Sequence, residues 1–206
     1  MNKRLAMCLA TIGLTASLAS AQNLLINGDF NNPNSTAAPA DWNIWTYGGG
    51  WCNHQDDSSS FDGTYYVADG GGSSAGGGEY QYVPATAGFT YTLTVESGAQ
   101  AWWLPYGEMR LFFMDATTNQ ITESYSSTID PAVYGQNYDI PHPWSNYSLV
   151  VTAPAGTAIV KVEFAEPNGT GTVWFDDAVL TAVPEPATIG LVAIGVLAAF
   201  VTRRRK

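Results

Sequence analysis

The stretch Thr-Tyr-Thr-Leu-Thr-Val at positions 90–95 alternates strictly between a threonine and an apolar side chain. An antiparallel strand with one buried face has this period of two, because successive side chains point to opposite sides of the sheet. Positions 158–164 repeat the pattern, with Lys161 and Glu163 turned towards solvent and apolar neighbours turned inward. These two segments predict a protein built from half-buried antiparallel strands.

Short runs rich in Thr, Val, Tyr and Phe recur along the chain, and turn-forming pairs separate them. The predicted strands are positions 23–30, 63–68, 79–83, 89–97, 108–115, 120–125, 145–152, 158–164 and 172–180. Many short strands divided by turns favour an all-β sandwich or barrel. The tract of Gly, Ser and Ala at 70–78 is predicted to be an exposed, flexible loop.

The N-terminus has the three parts of a secretory signal peptide. Lys3 and Arg4 supply the positive charge, positions 5–18 are mostly apolar, and a triplet of small residues ends at Ala21. We expect a signal peptidase to cut between Ala21 and Gln22, so that the protein is exported.

The other end of the chain has the pattern of a membrane anchor. Positions 187–202 are apolar or small, and positions 203–206 are four basic residues. A helix of this length spans about 24 Å, and thinning of the bilayer or snorkelling makes up the difference from a core of roughly 30 Å. Because basic residues stay on the cytoplasmic side, the preceding domain is predicted to lie outside the inner membrane.

Pro184, Glu185 and Pro186 stand directly before this apolar run, and the order of motif, short helix and basic end resembles the PEP-CTERM sorting signal. The resemblance implies that an exosortase, an intramembrane transpeptidase, processes the chain near this motif. It also implies a temporary stay in the inner membrane, then a place at the cell surface or in the extracellular matrix of a bacterium that makes exopolysaccharide. The expected organisation is a signal peptide at 1–21, one domain at 22–182 and a sorting signal at 183–206.

The part between the two ends is strongly acidic. Positions 22–186 hold two basic residues, Arg110 and Lys161, against all 18 acidic residues, which gives a formal charge of −16. Such a surface repels nucleic acid and anionic membranes. It suits divalent cations, neutral glycans or a salty medium, or it simply keeps an exported protein soluble. Cys52 is the single cysteine of this part, so it is either a small buried group or a reactive or intermolecular thiol.

Four segments of this part occur in a characteristic order. They are Asn-Leu-Leu-Ile-Asn-Gly-Asp-Phe at 23–30 with Trp42 after it, Phe-Asp-Gly-Thr-Tyr-Tyr at 61–66, the run at 84–93, and Val-Trp-Phe-Asp-Asp-Ala-Val-Leu at 173–180. In this order they resemble the carbohydrate-binding modules of families 4, 9 and 22, within the galactose-binding-like group. The resemblance implies a jelly-roll β-sandwich that binds glycan, flanked here by a signal peptide and a transmembrane helix.

The same resemblance implies a structural calcium ion where the first and last strands meet. The family has a carboxylate after its Asn-Gly-x-Phe motif, and this chain has Asn31 there, which offers a carbonyl oxygen without a charge. Asp176 of the Asp-Asp pair is the second expected ligand, and Asp62 at a turn is the third. A buried Asp176 needs either a cation or hydrogen bonds from backbone amides, and both alternatives are open.

Sugar binding needs exposed aromatic rings that stack on pyranose faces, together with polar groups for the hydroxyls. The candidate rings and their nearest polar partners are Trp102, Trp103, Tyr106, Trp144, Gln100, Glu108 and Arg110. Tyr47 and Trp51 form a further aromatic group. Each of these rings has packing in a core or loop as its alternative role, and loops on a rigid sandwich are common binding positions.

Catalysis has little support in the sequence. The Gly-x-Ser-x-Gly pattern at 72–76 lies in a glycine tract without the strand, turn and helix of a nucleophile elbow. No spacing singles out a carboxylate pair for glycoside hydrolysis. We therefore expect a non-catalytic, exported glycan-binding protein. A structural surface or matrix protein without a sugar site is the alternative, and a polysaccharide-acting enzyme is a more distant one.

Overall fold

The computed structural model describes residues 22–32, 38–55, 60–62, 65–71, 74–103, 107–122, 124–129, 144–167 and 170–185. Within these residues the chain forms ten strands. They are β1 (Asn43–Tyr47), β2 (Trp51–Gln55), β3 (Tyr66–Gly71), β4 (Gly76–Pro84), β5 (Phe89–Trp103), β6 (Gly107–Met114), β7 (Tyr125–Ile129), β8 (Ser145–Thr152), β9 (Ile159–Glu166) and β10 (Thr170–Pro184).

The strands pack as two antiparallel sheets. The first sheet has the order β1-β4-β9-β6-β7, and the second has the order β2-β3-β10-β5-β8. Neighbouring strands are mostly not consecutive in sequence, as a jelly roll requires. The predicted all-β jelly-roll sandwich is confirmed. No helix long and apolar enough to cross a membrane occurs among the described residues. The predicted signal peptide at 1–21 and membrane helix at 187–202 lie outside them.

The side chains that the alternating pattern of β5 predicts to face inward are buried in the structure. In β5, Tyr91, Leu93 and Val95 are at most 2% exposed, whereas the intervening threonines are half-buried. An aromatic cluster fills the middle of the sandwich: the Phe164 ring lies 5.1 Å from that of Phe175, measured between centroids. The cluster continues through Trp42, at 5.8 Å from Phe164, to Phe30.

The predicted first strand at 23–30 is wrong, because side chains take over the backbone hydrogen bonds of this segment. Asn23 Oδ1 accepts the N–H groups of Leu25 and Leu180 at 3.1 and 2.9 Å. Asn27 has a φ of 52°, in the left-handed region that Asn tolerates, and its side-chain amide donates to the carbonyl of Ala40. The segment therefore packs as a bent chain against β10.

Two further predictions need correction. The strand expected at 120–125 is reduced to a bridge between Met114 and Gln120, and the strand itself, β7, begins at Tyr125. The tract at 70–78, predicted to be an exposed loop, contributes Gly70 and Gly71 to β3 and Gly76 onwards to β4. Glycine at positions 70, 76 and 78 admits neighbouring aromatic rings that a Cβ would obstruct.

Candidate functional site

Two of the residues predicted to bind glycan, Trp144 and Glu108, lie on different sheets. Trp144 packs over the outer face of the second sheet, with its ring 6.1 Å from that of Trp174 and 6.2 Å from that of Phe61. Glu108 lies in β6 of the first sheet. The backbones of Gln100, Trp102 and Trp103 belong to β5, their side chains lie outside the described part of the structure, and so does Tyr106.

A pair of aromatic rings lies on the outer face of the first sheet, on its edge strand β1. The rings of Trp45 and Tyr47 are parallel within 5°, with their centroids 5.9 Å apart. Trp45 pairs with Gly78 and Tyr47 with Gly76, and a Cβ added at either glycine would come within 3.0 Å of the opposing ring. The two glycines thus let the rings settle on the sheet. Tyr47 also donates a hydrogen bond to the carbonyl of Pro167, which fixes its orientation.

Beside this pair lies a compact network of charged side chains. Arg110 donates through Nε to Glu108 and through Nη1 to Glu163, the latter at 2.8 Å. Lys161 donates to the other oxygen of Glu163 at 2.7 Å. Burial alone would lower the pKa of Arg110, but its hydrogen bonds to the two glutamates raise that pKa above its usual value. All four side chains are 4–18% exposed, so the network is held firmly and reaches the surface only at its edge.

The register of the strands shows how these groups align. One row across the first sheet runs from Trp45 through Gly78 and Ala165 to Glu108. The next row holds Asn43, Tyr80, Glu163 and Arg110, and the third holds Tyr82, Lys161 and Phe112. Gly78 and Ala165 have little or no side chain, so the sheet surface is shallow there. It lies between the Trp45 ring on one side and the Glu108–Arg110 ion pair on the other.

Lys161 connects the charged network to a second aromatic group. Its Nζ lies 3.9 Å from the ring centroid of Phe112 and 5.2 Å from that of Tyr80. Tyr82 on the same face is 48% exposed. We name the whole surface the rail face: Trp45, Tyr47, Tyr80, Tyr82, Phe112 and the ionic network of Glu108, Arg110, Lys161 and Glu163. It combines flat apolar rings with carboxylate, guanidinium and ammonium groups, which is the chemistry that pyranose rings and their hydroxyls require.

The outer face of the second sheet is packed differently. Trp174 is 4% exposed and forms a small cluster with Ala68, against which Trp51 and Trp144 pack half-buried. The Trp51 ring rests on Gly70, where an added Cβ would lie 2.6 Å from it. Trp174 and Trp144 are tilted by 42° to each other, so these two rings offer no flat platform.

The predicted metal ligands do come together. Asn31 Nδ2 donates to Asp62 Oδ2 at 3.2 Å, and Phe61, the neighbour of Asp62, donates its N–H to Asp176 Oδ2 at 3.0 Å. Asp176 Oδ1 accepts the N–H of Asp177 at 2.8 Å. Asp176 is fully buried at the irregularity of β10. The sequence left two alternatives for the partner of a buried Asp176, a cation or backbone amides. Its carboxylate accepts hydrogen bonds from two backbone amides.

The electrostatics at this position disfavour the charged forms of the carboxyl groups. Burial raises the pKa of Asp176 to about 8, and the charges of Asp177 and Asp62 add to the rise. Burial also raises the pKa of Asp177, with contributions from Asp62 and Asp29. Asp29 and Asp177 line an open cleft of about 510 Å³ beside Asp176. The position thus concentrates negative charge next to a solvent-accessible opening.

Sequence comparison identifies the C-terminal end. The PEP-CTERM protein-sorting motif matches residues 182–206, so the predicted sorting signal is confirmed and the chain is marked as an exported protein. The first residues of this match lie in the fold, because Val183 and Pro184 pair with Thr90 and Phe89 as the end of β10. No curated protein has a significantly similar sequence.

Solved structures share the fold at low sequence identity. A family 16 carbohydrate-binding module has a TM-score of 0.55 and 16% identity, over 77% of this chain and 99% of the module. A cyclase from Fischerella sp. TAU has a TM-score of 0.57 and 16% identity, over 80% and 98%. The enzymatically active domain of bacteriophage CBA120 tailspike protein 4 has a TM-score of 0.60 and 13% identity, over 78% of this chain but 21% of that protein.

Carbohydrate-binding modules of families 4, 22 and 61 are further structures with this fold. The predicted resemblance to jelly-roll carbohydrate-binding modules is therefore confirmed at the level of fold. Enzymes and non-catalytic modules share that fold, so function has to be argued from the side chains on the sheets. The chain is an exported protein with a PEP-CTERM sorting signal and a jelly-roll domain like those of carbohydrate-binding modules.

Proposed function

We propose that this protein is a non-catalytic, glycan-binding protein of the cell surface or extracellular matrix, and that the rail face is its binding site. The observation that carries the proposal is the parallel Trp45–Tyr47 pair beside the ionic network of Arg110. Aromatic rings bury the apolar face of a sugar, while Arg, Lys and Glu exchange charge-assisted hydrogen bonds with its hydroxyls. The groups are held by the sheet before any ligand arrives, which lowers the entropic cost of binding.

The charge of the domain narrows the ligand class. With a formal charge of −16 between positions 22 and 186, the domain repels polyanionic polymers, so a neutral polysaccharide is the expected ligand. The sorting signal supports a role on the producing cell, where the ligand would be its own exopolysaccharide. In this proposal signal peptidase and an exosortase process the chain, and the inner membrane holds it only during transit.

The alternative is a structural matrix protein that has the same fold and binds no sugar. A more distant alternative is an enzyme that acts on polysaccharide. A glycan array probed with the full-length chain separates the three. Binding to a polysaccharide that stays intact supports the proposal, and degradation of that polysaccharide supports the enzyme. Absence of binding to any polysaccharide supports the structural role and would refute the proposal.

Replacement of Trp45 by Ala is expected to weaken binding to the polysaccharide found on the array by about 10-fold or more, because a central stacking ring is lost. The measurement is affinity gel electrophoresis with increasing polysaccharide in the gel. Trp144→Ala is the matched control, because it removes a half-buried Trp ring from the opposite sheet. Equal losses in both variants would show that the rail face is not the site.

We also propose a structural calcium ion held by Asp62 and Asp176, with Asn31 contributing its amide oxygen. Calcium prefers oxygen ligands of this kind. The raised pKa of Asp176 and the neighbouring acidic cleft support the proposal. The Asn31 amide now donates to Asp62, so ion binding requires this side chain to turn its oxygen towards the ion. A bound calcium would supply positive charge next to a buried carboxylate.

Removal of calcium by a calcium-selective chelator is expected to lower Tm by about 5 °C, the effect of losing a ligand present well above its Kd. Differential scanning calorimetry with and without added calcium measures this shift. Asp176→Asn is expected to abolish the response, since it removes the buried charge. A melting temperature that does not respond to calcium or chelator would count against the ion.

A further inference from the structure

A second group of acidic and sulfur ligands lies inside the sandwich, away from the rail face and the proposed calcium site. Cys52 of β2, Asp69 of β3 and Glu79 of β4 point between the two sheets and are 4%, 0% and 0% exposed. One ligand atom of each lies within 4.8 Å of the others, and Cys52 Sγ is 3.5 Å from Glu79 Oε2. We call these three residues the buried triad.

Glycines close the sandwich over the triad. A Cβ on Gly77 would lie 2.5 Å from the carbonyl oxygen of Trp51, and one on Gly50 would lie 2.1 Å from that of Gly76. Because these positions are glycine, β4 approaches β2 directly and the two sheets meet at this corner. The triad is thereby kept from solvent although its members come from three strands and both sheets.

No basic side chain pairs with the triad within the described part of the structure. Neither carboxylate oxygen of Asp69 makes a hydrogen bond of normal geometry, and the same holds for Glu79 Oε1. The two basic residues of positions 22–186, Arg110 and Lys161, lie on the rail face and bind Glu108 and Glu163. An unpaired buried carboxylate is one of the most unfavourable groups a core can contain. Asp69 is thus a fully buried carboxylate without a basic partner, aimed into a cluster of metal-ligand atoms in which Cys52 and Glu79 are its polar neighbours.

We propose that the buried triad is a binding site for a divalent transition-metal ion of the zinc class, with Cys52, Asp69 and Glu79 as its protein ligands. A thiolate excludes calcium and magnesium, which take oxygen ligands, whereas two carboxylates disfavour copper(I). Zinc accepts sulfur and carboxylate oxygen together in a tetrahedral set, with water free to take the fourth position. The ion would cross-link the two sheets at a corner that has no disulfide to do so.

Proton linkage follows from this assignment. Burial raises the pKa of Asp69 to about 7 and raises those of Cys52 and Glu79 above their usual values, so the metal-free triad holds protons at neutral pH. The metal binds the deprotonated ligands, so each ligand that carries a proton releases it to solvent on binding, and affinity rises with pH. Because the triad is shielded from solvent in the folded domain, the ion is expected to bind while the domain folds.

The test uses the full-length chain, unfolded in chelator and refolded with either zinc, cobalt(II) or chelator alone. The expected result is one zinc per chain after gel filtration, and a Tm about 5–10 °C above that of the chelator-treated protein at saturating zinc. Cobalt(II) should give the near-ultraviolet charge-transfer band of a thiolate ligand. A parent protein that retains no stoichiometric metal after refolding would overturn the proposal.

Variants of the triad distinguish metal bound at this site from metal bound by carboxylates elsewhere in the chain. Cys52→Ala should abolish the cobalt thiolate band, and Asp69→Asn should weaken zinc retention at least 10-fold. Asp115→Asn is the control, since this carboxylate accepts hydrogen bonds from Thr117 and Asn119, lies outside both proposed ion sites and should keep both signals when replaced. Cys8 is present in parent and variants alike, so differences between them report Cys52. Retention that is equal in parent, Cys52→Ala and Asp69→Asn would assign the metal elsewhere.

Discussion

Phe164→Ala is expected to lower the free energy of unfolding by about 4 kcal/mol, the range found for a large aromatic side chain deleted from a rigid core. Phe164 is fully buried and lies between both sheets at the centre of the aromatic cluster. Its ring is in contact with those of Phe175, Trp42 and Phe30. These partners belong to β10, to the bent N-terminal segment and to the residue before β1, so they cannot collapse together into the cavity without moving backbone.

Urea denaturation followed by tryptophan fluorescence measures this loss, with the slope m checked for two-state behaviour. Phe61→Ala is the matched control, because the same atoms are removed from a ring that is 46% exposed. Its effect should stay within about 1 kcal/mol. A loss for Phe164→Ala as small as that of the control would show that the two sheets do not share a tightly packed core.

The parts of the fold that the sequence predicts well are those in which a strand has one buried face. The sequence locates β5 and β9 because their side chains alternate, and alternation is imposed by a sheet that separates core from solvent. β1 shows no such pattern: four of its five residues are exposed, as on an edge strand. The segment at 23–30 is apolar enough for a strand, but Asn23 and Asn27 bond to backbone groups and bend it.

The rail face could be predicted only in part. Glu108 and Arg110 are predicted as polar partners for a sugar because they follow the aromatic group at 102–106 closely in sequence. Trp45 and Gly78 lie far apart in the chain, and no local pattern shows that the ring of one rests on the other. The prediction of a loop at 70–78 is wrong for the same reason. The glycines of this tract make room for aromatic rings and strands that lie elsewhere in the sequence. The buried triad has no sequence signal either, since its members come from three separate strands.

The stability of the metal-free protein is expected to fall as pH rises from 5 to 7.5. Asp69 and Asp176 have pKa values of about 7 and 8 in the fold, because burial disfavours their charged forms, against 3.8 when unperturbed. Burial also raises the pKa of Glu79, and the charge of Asp69 adds to that rise. Between these limits the folded chain keeps protons that the unfolded chain has released. Unfolding therefore releases protons, and higher pH favours it.

We expect this loss to be on the order of 4 kcal/mol across the window, measured by urea denaturation in the presence of a chelator. Asp69→Asn should flatten the dependence, because it removes one of the retained protons. Asp115→Asn is the control: hydrogen bonds from Thr117 and Asn119 lower the pKa of Asp115 to about 2, so its contribution changes only below the window. Saturating zinc should remove the share of the decline that belongs to the triad, since a metal-bound triad carries no proton to lose, and should leave the share of Asp176. A stability that is constant or rises from pH 5 to 7.5 without metal would mean that the interior carboxylates are already charged and paired.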